Sequence, residues 1–160
     1  MTSHRLSRAL ELSSDPLNPG PDEMRQILED TRTIAVVGLS RDPAKAARRV
    51  PSYLAAKGYE VIPVNPNADR IFGKRARATL DDVTEPVDMV LVFRPSAEAG
   101  EVMRQAAERP ERPVVWLQEG IRDDEAAGEV RARGITVVQD LCIYKVHRTL
   151  GAPPAAAGTF

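Results

Sequence analysis

The sequence has almost none of the features that mark secreted or membrane-spanning proteins. It contains a single cysteine, Cys142, which excludes an internal disulfide and fits a reducing compartment. No apolar run in the 160 residues approaches the ~20 residues that a membrane helix needs. The N-terminal stretch MTSHRLSRALELSS also lacks the apolar core of a signal peptide. We therefore expect a cytoplasmic protein that does not associate with membranes.

Residues for metal binding or nucleophilic catalysis are also scarce. The histidines, His4 and His147, and the cysteine show no metal-ligand spacing, and the carboxylates are scattered. The spacing of Cys142 and His147 would not bring a thiol and an imidazole together on a helix or a strand, so a buried structural cysteine is favoured. A GxSxG motif is absent. The sequence predicts no metal site, no catalytic residues and hence no enzyme.

Net charge is close to zero. The chain has 22 Lys and Arg against 23 Asp and Glu, so no overall field attracts nucleic acid. Any site for an anion must therefore come from a local cluster of cations. The composition, 42% hydrophobic and 28% charged, is ordinary for one globular domain of this length.

Apolar stretches alternate with helical patterns about every 25 residues, which is typical of βαβ units. Right-handed crossovers then produce an α/β fold, a Rossmann-like doubly wound, mostly parallel five-stranded sheet with helices on both faces. This domain is predicted over residues 21–150, with residues 141–150 packed back onto it. Residues 1–20 are expected to be a flexible extension and residues 151–160 a disordered tail. The predicted strands are residues 34–37, 59–64, 87–93, 113–117 and 135–138.

The segment TIAVVGLSRDPAKAARR, residues 33–49, is the centre of this organisation. A buried strand is followed by a loop over residues 39–47. A helix then begins near Ala47 or Arg48, because Pro51 is tolerated in the first turn of a helix. Four cations near that helix N-terminus oppose its dipole, so we predict an anionic ligand there, a solvated basic loop being the alternative. The four are Arg41, Lys45, Arg48 and Arg49.

In a doubly wound sheet the ligand contacts the loops that follow the strands, here GLSRDPAKAARR, NPN, FRPS, QEG and QDLCIYK. The first loop keeps only Gly38 of the GxGxxG pattern. An NAD site needs an acidic residue after the second strand to hold the ribose hydroxyls, but this chain has Val64, Asn65 and Pro66 there. NAD binding of the usual kind is therefore disfavoured.

Several of these residues also have plain structural interpretations. Asn65 and Pro66 suit an ordinary turn in any protein. Phe93 is compatible with a place in the core, and Arg94 with capping the C-terminus of a helix. Trp116 lies in an apolar strand, and we interpret it as core rather than as a platform for a ligand.

Five segments resemble a known family: AVVGLSRDPAKAARRV, GYEVIPVNPNADRIFGKRARATLDDV, VDMVLVFRP, VVWLQEGI and GITVVQDLCI followed by a histidine. In this order and at this spacing they resemble the small stand-alone CoA-binding proteins, whose domain is similar to the CoA-binding domain of the succinyl-CoA synthetase α subunit. The resemblance covers residues 26–148. It implies a Rossmann-type domain that binds coenzyme A. The phosphorylated histidine of the ligases belongs to a separate domain without a counterpart in this sequence.

The resemblance implies that the first loop holds the phosphates of CoA. Gly38, Leu39 and Ser40 would let the backbone approach the diphosphate, with the Ser40 hydroxyl as a donor. Arg49 is favoured over Arg48 as a phosphate ligand, because the position of Arg48 is often not basic in the family. The implied phosphate ligands together are Arg41, Lys45, Arg48 and Arg49.

The resemblance also implies that the loops after the other strands contact the rest of the CoA molecule. Val64, Asn65 and Pro66 would border the adenosine, where a carboxylate would repel the 3′-phosphate. The family often has a second arginine after Arg94, and Pro95 in this position leaves the geometry of the loop open. The remaining implied contacts are Phe93, Arg94 and Pro95 on the opposite side, and Gln118, Glu119 and Gly120 along the pantetheine arm.

We therefore expect a non-catalytic carrier, sensor or regulatory module that binds coenzyme A or an acyl-CoA. An NAD(P)- or other nucleotide-binding regulatory domain is one alternative. A subunit of an acyl-CoA-utilising enzyme, completed by a partner, is another. The sequence leaves open whether the chain forms homo-oligomers or binds a partner protein.

Overall fold

The computed structural model describes residues 14–150. Within them the main sheet has five parallel strands in the order β2-β1-β5-β6-β7, and a short antiparallel hairpin pairs β3 with β4. The predicted doubly wound α/β fold is confirmed. The strands are β1 (Thr33–Val37), β2 (Glu60–Val64), β3 (Arg70–Ile71), β4 (Lys74–Arg75), β5 (Met89–Val92), β6 (Val114–Leu117) and β7 (Val137–Val138).

Helices cover both faces of the sheet because β1 is apolar on both sides. Ile34 and Val36 pack into a core with α1, α2 and α5. Ala35 and Val37 point the other way, into a core with α3 and α4. The helices are α1 (Pro21–Asp30), α2 (Ala46–Ala56), α3 (Ser96–Ala107), α4 (Asp124–Ala132) and α5 (Ile143–Leu150), with a 3₁₀ turn at Leu80–Asp82.

The register of the sheet places four strand ends in one row. Val37 of β1 pairs with Val64 of β2 on one side and with Val92 of β5 on the other, and Val92 pairs with Leu117 of β6. The loops that leave these strands therefore start along one edge. The chain reverses its winding direction between β1 and β5, and ligands of doubly wound sheets bind at such a point.

The start of α2 differs from the prediction. The helix begins at Ala46, and Pro51 lies inside it rather than in its first turn. A proline has no N–H to donate to the carbonyl four residues earlier, which is that of Ala47. This carbonyl accepts a hydrogen bond from the N–H of Ser40 instead, at 3.0 Å. The interior proline is therefore tolerated because the loop before the helix supplies the missing donor.

Two elements were not predicted from the sequence. Residues 141–150 were expected only to pack back, and most of them form α5, whose Ile143, Val146 and Leu150 are buried. That spacing is helical, so the signal was present. The β3–β4 hairpin follows β2, and its turn uses Phe72 at φ 57° and Gly73 at φ 71°. Phe-Gly is not a usual hairpin turn sequence.

Part of the predicted N-terminal extension packs against the domain. Ser14 donates its backbone N–H to Asp140 at 3.0 Å, and Asn18 donates to the Gln139 carbonyl at 2.9 Å. Asp15 is buried and pairs with Arg131 at 3.1 Å. The packed part of the chain thus reaches back to Ser14. The predictions for residues 1–13, including His4, and for residues 151–160 concern positions outside the described residues.

Candidate functional site

Gly38 lies at the point where the sheet reverses direction. Its φ is 91°, and its N–H donates to the Val64 carbonyl at 2.9 Å, which joins the ends of β1 and β2. A Cβ at this position would lie 3.2 Å from Cδ of Arg94 and 3.3 Å from the carbonyl carbon of Phe93. Both the backbone angle and the close approach therefore require glycine.

The loop after Gly38 is held by hydrogen bonds to the loop after β2. Leu39 is fully buried, and its carbonyl accepts from the Asn65 side chain at 2.9 Å. Arg41 reaches the Asn67 carbonyl at 3.4 Å, and the Ser40 hydroxyl accepts from the Asp42 N–H at 3.0 Å. The predicted residues Leu39 and Asn65 thus shape the loop from within.

The N-terminus of α2 opens onto this loop, in which the Asp42 carboxylate accepts the Ala44 N–H at 3.0 Å. Lys45 is the N-cap residue, no side chain caps the helix within the described residues, and the first turn has no acidic residue. In the same part of the chain Arg41, Lys45 and Arg49 form no ion pair with a carboxylate. The dipole, the N–H groups and these cations together favour an anion.

The structure separates the two adjacent arginines. The guanidinium of Arg48 stacks on the ring of Phe72, 4.0 Å from its centroid. Arg49 is exposed and lines a cleft on the other side of the helix start. The contact of Arg48 with the hairpin gives it a structural role that the sequence did not indicate.

A cleft of about 560 Å³ runs from the start of α2, past the ends of β5 and β6, to α5. Most of its lining is apolar, with cations near both ends. This volume is in the usual range for small-molecule sites. The cleft is lined by Ala46, Arg49, Val50, Phe93, Gln118, Glu119, Ile121, Cys142, Tyr144 and Lys145.

The α5 side of the cleft carries an ion pair. Lys145 of α5 donates to Glu119 at 2.9 Å, and both side chains are about half exposed. The hydrogen bond to Glu119 raises the pKa of Lys145, so the amine stays charged at neutral pH. Beneath the pair, the buried Gln118 accepts the N–H of Ile143 at 3.1 Å, which fixes the start of α5 against β6.

Asp140 holds the loop that carries Glu119. Its carboxylate accepts the N–H of Gly120 at 2.6 Å and the N–H of Ser14 at 3.0 Å. Burial alone would raise the pKa of Asp140, but the hydrogen bonds from Ser14 and Gly120 and the charge of Arg122 outweigh it and lower the pKa. The packed N-terminal segment and the cleft are therefore connected through one ionised side chain.

Other predicted residues lie outside the cleft. Val64 is buried in the core, so only its backbone faces the loops. Arg94 packs over Gly38 and forms an ion pair with Glu98. Asn65 and Pro66 line a separate, polar cavity of about 800 Å³ beside β2. Among the predicted residues, the structure brings Arg49, Phe93, Gln118 and Glu119 into the cleft and Asn65 and Pro66 into the polar cavity, and the others line neither.

Six residues of the cleft were not predicted from the sequence: Ala46, Val50, Ile121, Cys142, Tyr144 and Lys145. Three of them belong to the segment QDLCIYK, a strand-end loop to which the sequence assigned no ligand contact. The Nδ1 atom of His147 lies 2.8 Å from the Tyr53 hydroxyl, which ties α5 to α2. Trp116 is fully buried, as predicted, and its indole N–H donates to the Leu141 carbonyl at 2.8 Å.

Residues 14–150 show neither a metal-ligand cluster nor a membrane-spanning helix. No group of three or more His, Cys, Asp or Glu side chains in this range is placed to hold a metal ion. None of the helices within it combines the length and the apolar character needed to cross a bilayer.

The sheet, its reversal point and the cationic helix start define a Rossmann-like α/β domain with a candidate site for an anionic ligand. A family model described as "CoA binding domain" matches residues 32–148. The chain belongs to this family, as the resemblance in the sequence predicted. The family supports coenzyme A as the kind of ligand.

Relatives with this domain include both small proteins and parts of larger enzymes. The chain is 38% identical over 130 residues to YneT of Bacillus subtilis (strain 168), a match that covers 81% of this chain and 96% of YneT. It is 26% identical over 133 residues to the alpha subunit of the ADP-forming acetate–CoA ligase II of Pyrococcus furiosus, covering 76% of this chain but 29% of that subunit.

A solved structure from Thermus thermophilus has the same fold. It matches with a TM-score of 0.77 and 40% sequence identity, over 82% of this chain and 99% of the other. The fold is therefore found in a protein of similar extent.

Proposed function

We propose that this chain binds coenzyme A or an acyl-CoA in the cytoplasm, as a non-catalytic carrier, sensor or regulatory module. The observation that carries the proposal is the continuity of two features. The uncapped start of α2, with Arg49 beside it, opens directly into the mostly apolar cleft. CoA combines a compact polyanionic head with a long arm that carries less charge, so its two parts match the two parts of the site.

The phosphates are proposed to bind at the loop after β1. Gly38 allows close approach of the backbone, and the N–H groups at the start of α2 favour negative charge. Arg41, Lys45 and Arg49 supply cations that no carboxylate neutralises within the described residues. The residue after β2 is Asn65 rather than an acid, which suits a 3′-phosphate, and the neighbouring cavity is lined by three arginines and three aspartates.

The pantetheine arm is proposed to follow the cleft from Arg49 toward α5. Phe93 forms an apolar wall at the end of β5, and Gln118 and Glu119 follow at the end of β6. This direction keeps the arm along the carboxyl ends of the strands, where doubly wound folds bind their ligands.

We propose that the chain alone performs no catalysis. A second candidate is a subunit that needs a partner to act on acyl-CoA, and the similarity to part of an acetate–CoA ligase subunit favours it. An assay of the purified chain with acetyl-CoA, in which the release of free CoA thiol is followed, tests whether the chain alone is an enzyme. Release of CoA thiol above the rate in buffer would contradict the non-catalytic role.

Titration calorimetry tests the ligand. We expect CoA to bind about tenfold more tightly than dephospho-CoA, because the 3′-phosphate adds a charge-assisted contact. NADH is expected to bind more weakly than either. If NADH bound more tightly than CoA, or if CoA did not bind, the proposal would be wrong.

A further inference from the structure

The N-terminal segment Ser14–Asn18 meets the loops of the cleft at Asp140. We propose that Asp140 is a positioning residue for ligand binding, and that through it this segment controls the affinity of the cleft. The inference rests on the proposed function, because the ligand is the one assigned to the same cleft.

Asp140 fixes the loop that follows β6 at two points. Its Oδ1 atom accepts the Gly120 N–H at 2.6 Å, and its own N–H donates to the Ile121 carbonyl at 3.0 Å. Gly120 lies between Glu119 and Ile121, which both line the cleft, and Asp140 lies two residues before Cys142, which lines it as well. The position of Asp140 therefore sets wall residues of two different loops.

The backbone of Asp140 adopts an uncommon conformation. Its φ of 53° lies in the left-handed region, where Asp and Asn are tolerated better than most other residues with a side chain. Hydrogen bonds to its N–H and to its carboxylate hold the residue there. Because this conformation is not favoured by itself, the loss of these bonds should let the loop relax.

The second carboxylate oxygen of Asp140 holds the N-terminal segment. Oδ2 accepts both the N–H of Ser14, at 3.0 Å, and the Ser14 hydroxyl. The guanidinium of Arg122, which follows Ile121 in the same cleft loop, also contacts this hydroxyl. One oxygen therefore binds the segment and the other binds the cleft loop, so a single carboxylate joins the two.

Polar contacts rather than apolar burial attach the segment. Of its five residues only Asp15 is buried, and the side chain of Leu17 is 71% exposed. Asn18 exchanges two hydrogen bonds with the backbone of Gln139, at 2.8 and 2.9 Å. Segments with so little apolar burial open at a lower free energy than the core does, so attached and detached states interconvert in the folded protein.

The two states give the coupling a definite form. The attached segment keeps Asp140, and with it the cleft loop, in the arrangement described above. Since coupling between two sites is reciprocal, a ligand that needs the ordered loop must also stabilise the attached segment.

Hydrogen exchange followed by NMR on the full chain, with and without saturating CoA, tests the coupling. The N–H groups of Ser14, Leu17 and Asn18 all donate within the folded structure. We expect bound CoA to slow their exchange by about three- to tenfold. Unchanged exchange of these amides with CoA bound would overturn the inference and leave CoA binding itself intact.

Two variants separate positioning from plain stability. Ser14→Ala removes the hydroxyl donor without touching the cleft, and CoA should bind about threefold more weakly. Asp140→Asn keeps a side chain suited to the left-handed backbone, but its amide offers an oxygen to only one of the two sets of donors. We expect this variant to bind CoA about tenfold more weakly.

Ser14→Thr is the conservative variant, because it keeps the hydroxyl at an exposed position. It should retain the affinity of the unchanged chain. Glu101→Gln removes a carboxylate from the exposed face of α3, outside both the segment and the cleft, and should also leave the affinity unchanged. Full affinity in both Ser14→Ala and Asp140→Asn, or an equal loss in Ser14→Ala and Ser14→Thr, would refute the positioning role.

The ligand-free protein supplies a readout that does not depend on the proposed function. In Ser14→Ala and Asp140→Asn, the amides of Gly120 and Ile121 should exchange several-fold faster than in the unchanged chain. If CoA fails to bind the unchanged chain, the proposed function is wrong. If these amides exchange at the same rate in all the variants, the link through Asp140 is wrong.

Discussion

Ser40 and Ala47 close the proposed phosphate-binding loop through a backbone hydrogen bond of 3.0 Å, in which the Ser40 N–H donates to the Ala47 carbonyl. Pro51 lies where a regular helix would supply a competing donor to that carbonyl. A proline inside α2 thus stabilises the loop in front of the helix. The residue that usually interrupts a helix here helps to build the candidate site.

Replacing this proline should weaken both binding and stability. Pro51→Ala supplies an N–H that competes with Ser40 for the Ala47 carbonyl, so we expect CoA to bind several-fold more weakly. The free energy of unfolding should fall by about 1–2 kcal/mol, because Pro51 is buried and the variant loses the packing of two ring methylenes. Calorimetry and urea denaturation measure the two quantities. The exposed Pro110→Ala is the control, and an unchanged affinity in Pro51→Ala would contradict the role of the loop.

Arg49 should contribute mainly to the affinity for CoA, and Arg48 mainly to the stability of the fold. Arg49→Ala is expected to weaken CoA binding by roughly 1.5–3 kcal/mol and to reduce its dependence on salt. Arg48→Ala should mainly lose the contact with Phe72 and lower stability by about 0.5–1 kcal/mol. Calorimetry at two ionic strengths and urea denaturation distinguish them. Equal losses of affinity in both variants would show that Arg48 also contacts the ligand.

Replacing two helical glycines with alanine should have opposite effects on the free energy of unfolding. A Cβ on Gly100 of α3 would clash with the carboxylate of Asp123, which caps α4 by accepting the Ala126 N–H at 3.0 Å. Gly100→Ala should therefore destabilise the fold by about 1–3 kcal/mol. Gly128 of α4 has open space around its Cβ position, and Gly128→Ala should stabilise by about 0.5–1 kcal/mol. Thermal and urea denaturation measure both, and the same sign for both variants would refute this account of the helix packing.

Acid stability should depend in part on Glu85. A two-point hydrogen bond from Arg77 lowers the pKa of Glu85 from 4.5 to about 2. A lowered pKa in the folded state contributes stability above pH 4.5, and this contribution is lost as the pH falls toward 2. Because 46% of the Glu85 side chain is exposed, we expect at most about 1 kcal/mol.

Urea denaturation at neutral and acidic pH measures this contribution. Glu85→Gln should be less stable than the unchanged chain at pH 7 and should lose less of its stability on acidification. Glu101→Gln, which removes an exposed carboxylate that forms no ion pair among residues 14–150, should keep the original pH dependence. Parallel pH curves for Glu85→Gln and the unchanged chain would disprove the effect.

Much of the fold could be predicted because its signals are local. The apolar run before Gly38, the return of such runs along the chain and the helical patterns between them depend on neighbouring residues. The family could also be predicted, because its segments keep their order. The start of α2 could not be predicted from the sequence. Pro51 is tolerated inside the helix because Ser40, which lies outside the helix, donates a hydrogen bond to the Ala47 carbonyl.

The candidate site was only partly accessible to such reasoning, and its ligand contacts stay a prediction. Strand-end loops identified Arg49, Phe93, Gln118 and Glu119, which the structure brings into one cleft. The same reasoning did not separate Arg48 from Arg49, because the ring of Phe72 comes from a hairpin with no usual turn signal.

By itself, the sequence determined the alternation of strands and helices and the family, and it predicted the edge of the sheet at which a ligand would bind. The tertiary structure alone decided which cations line the cleft, that α5 contributes to its wall and that Glu119 pairs with Lys145. The physical reason is the range of the interactions. Periodicity and turns act over a few residues, whereas these contacts join side chains far apart in the chain whose positions are set by packing on both faces of the sheet.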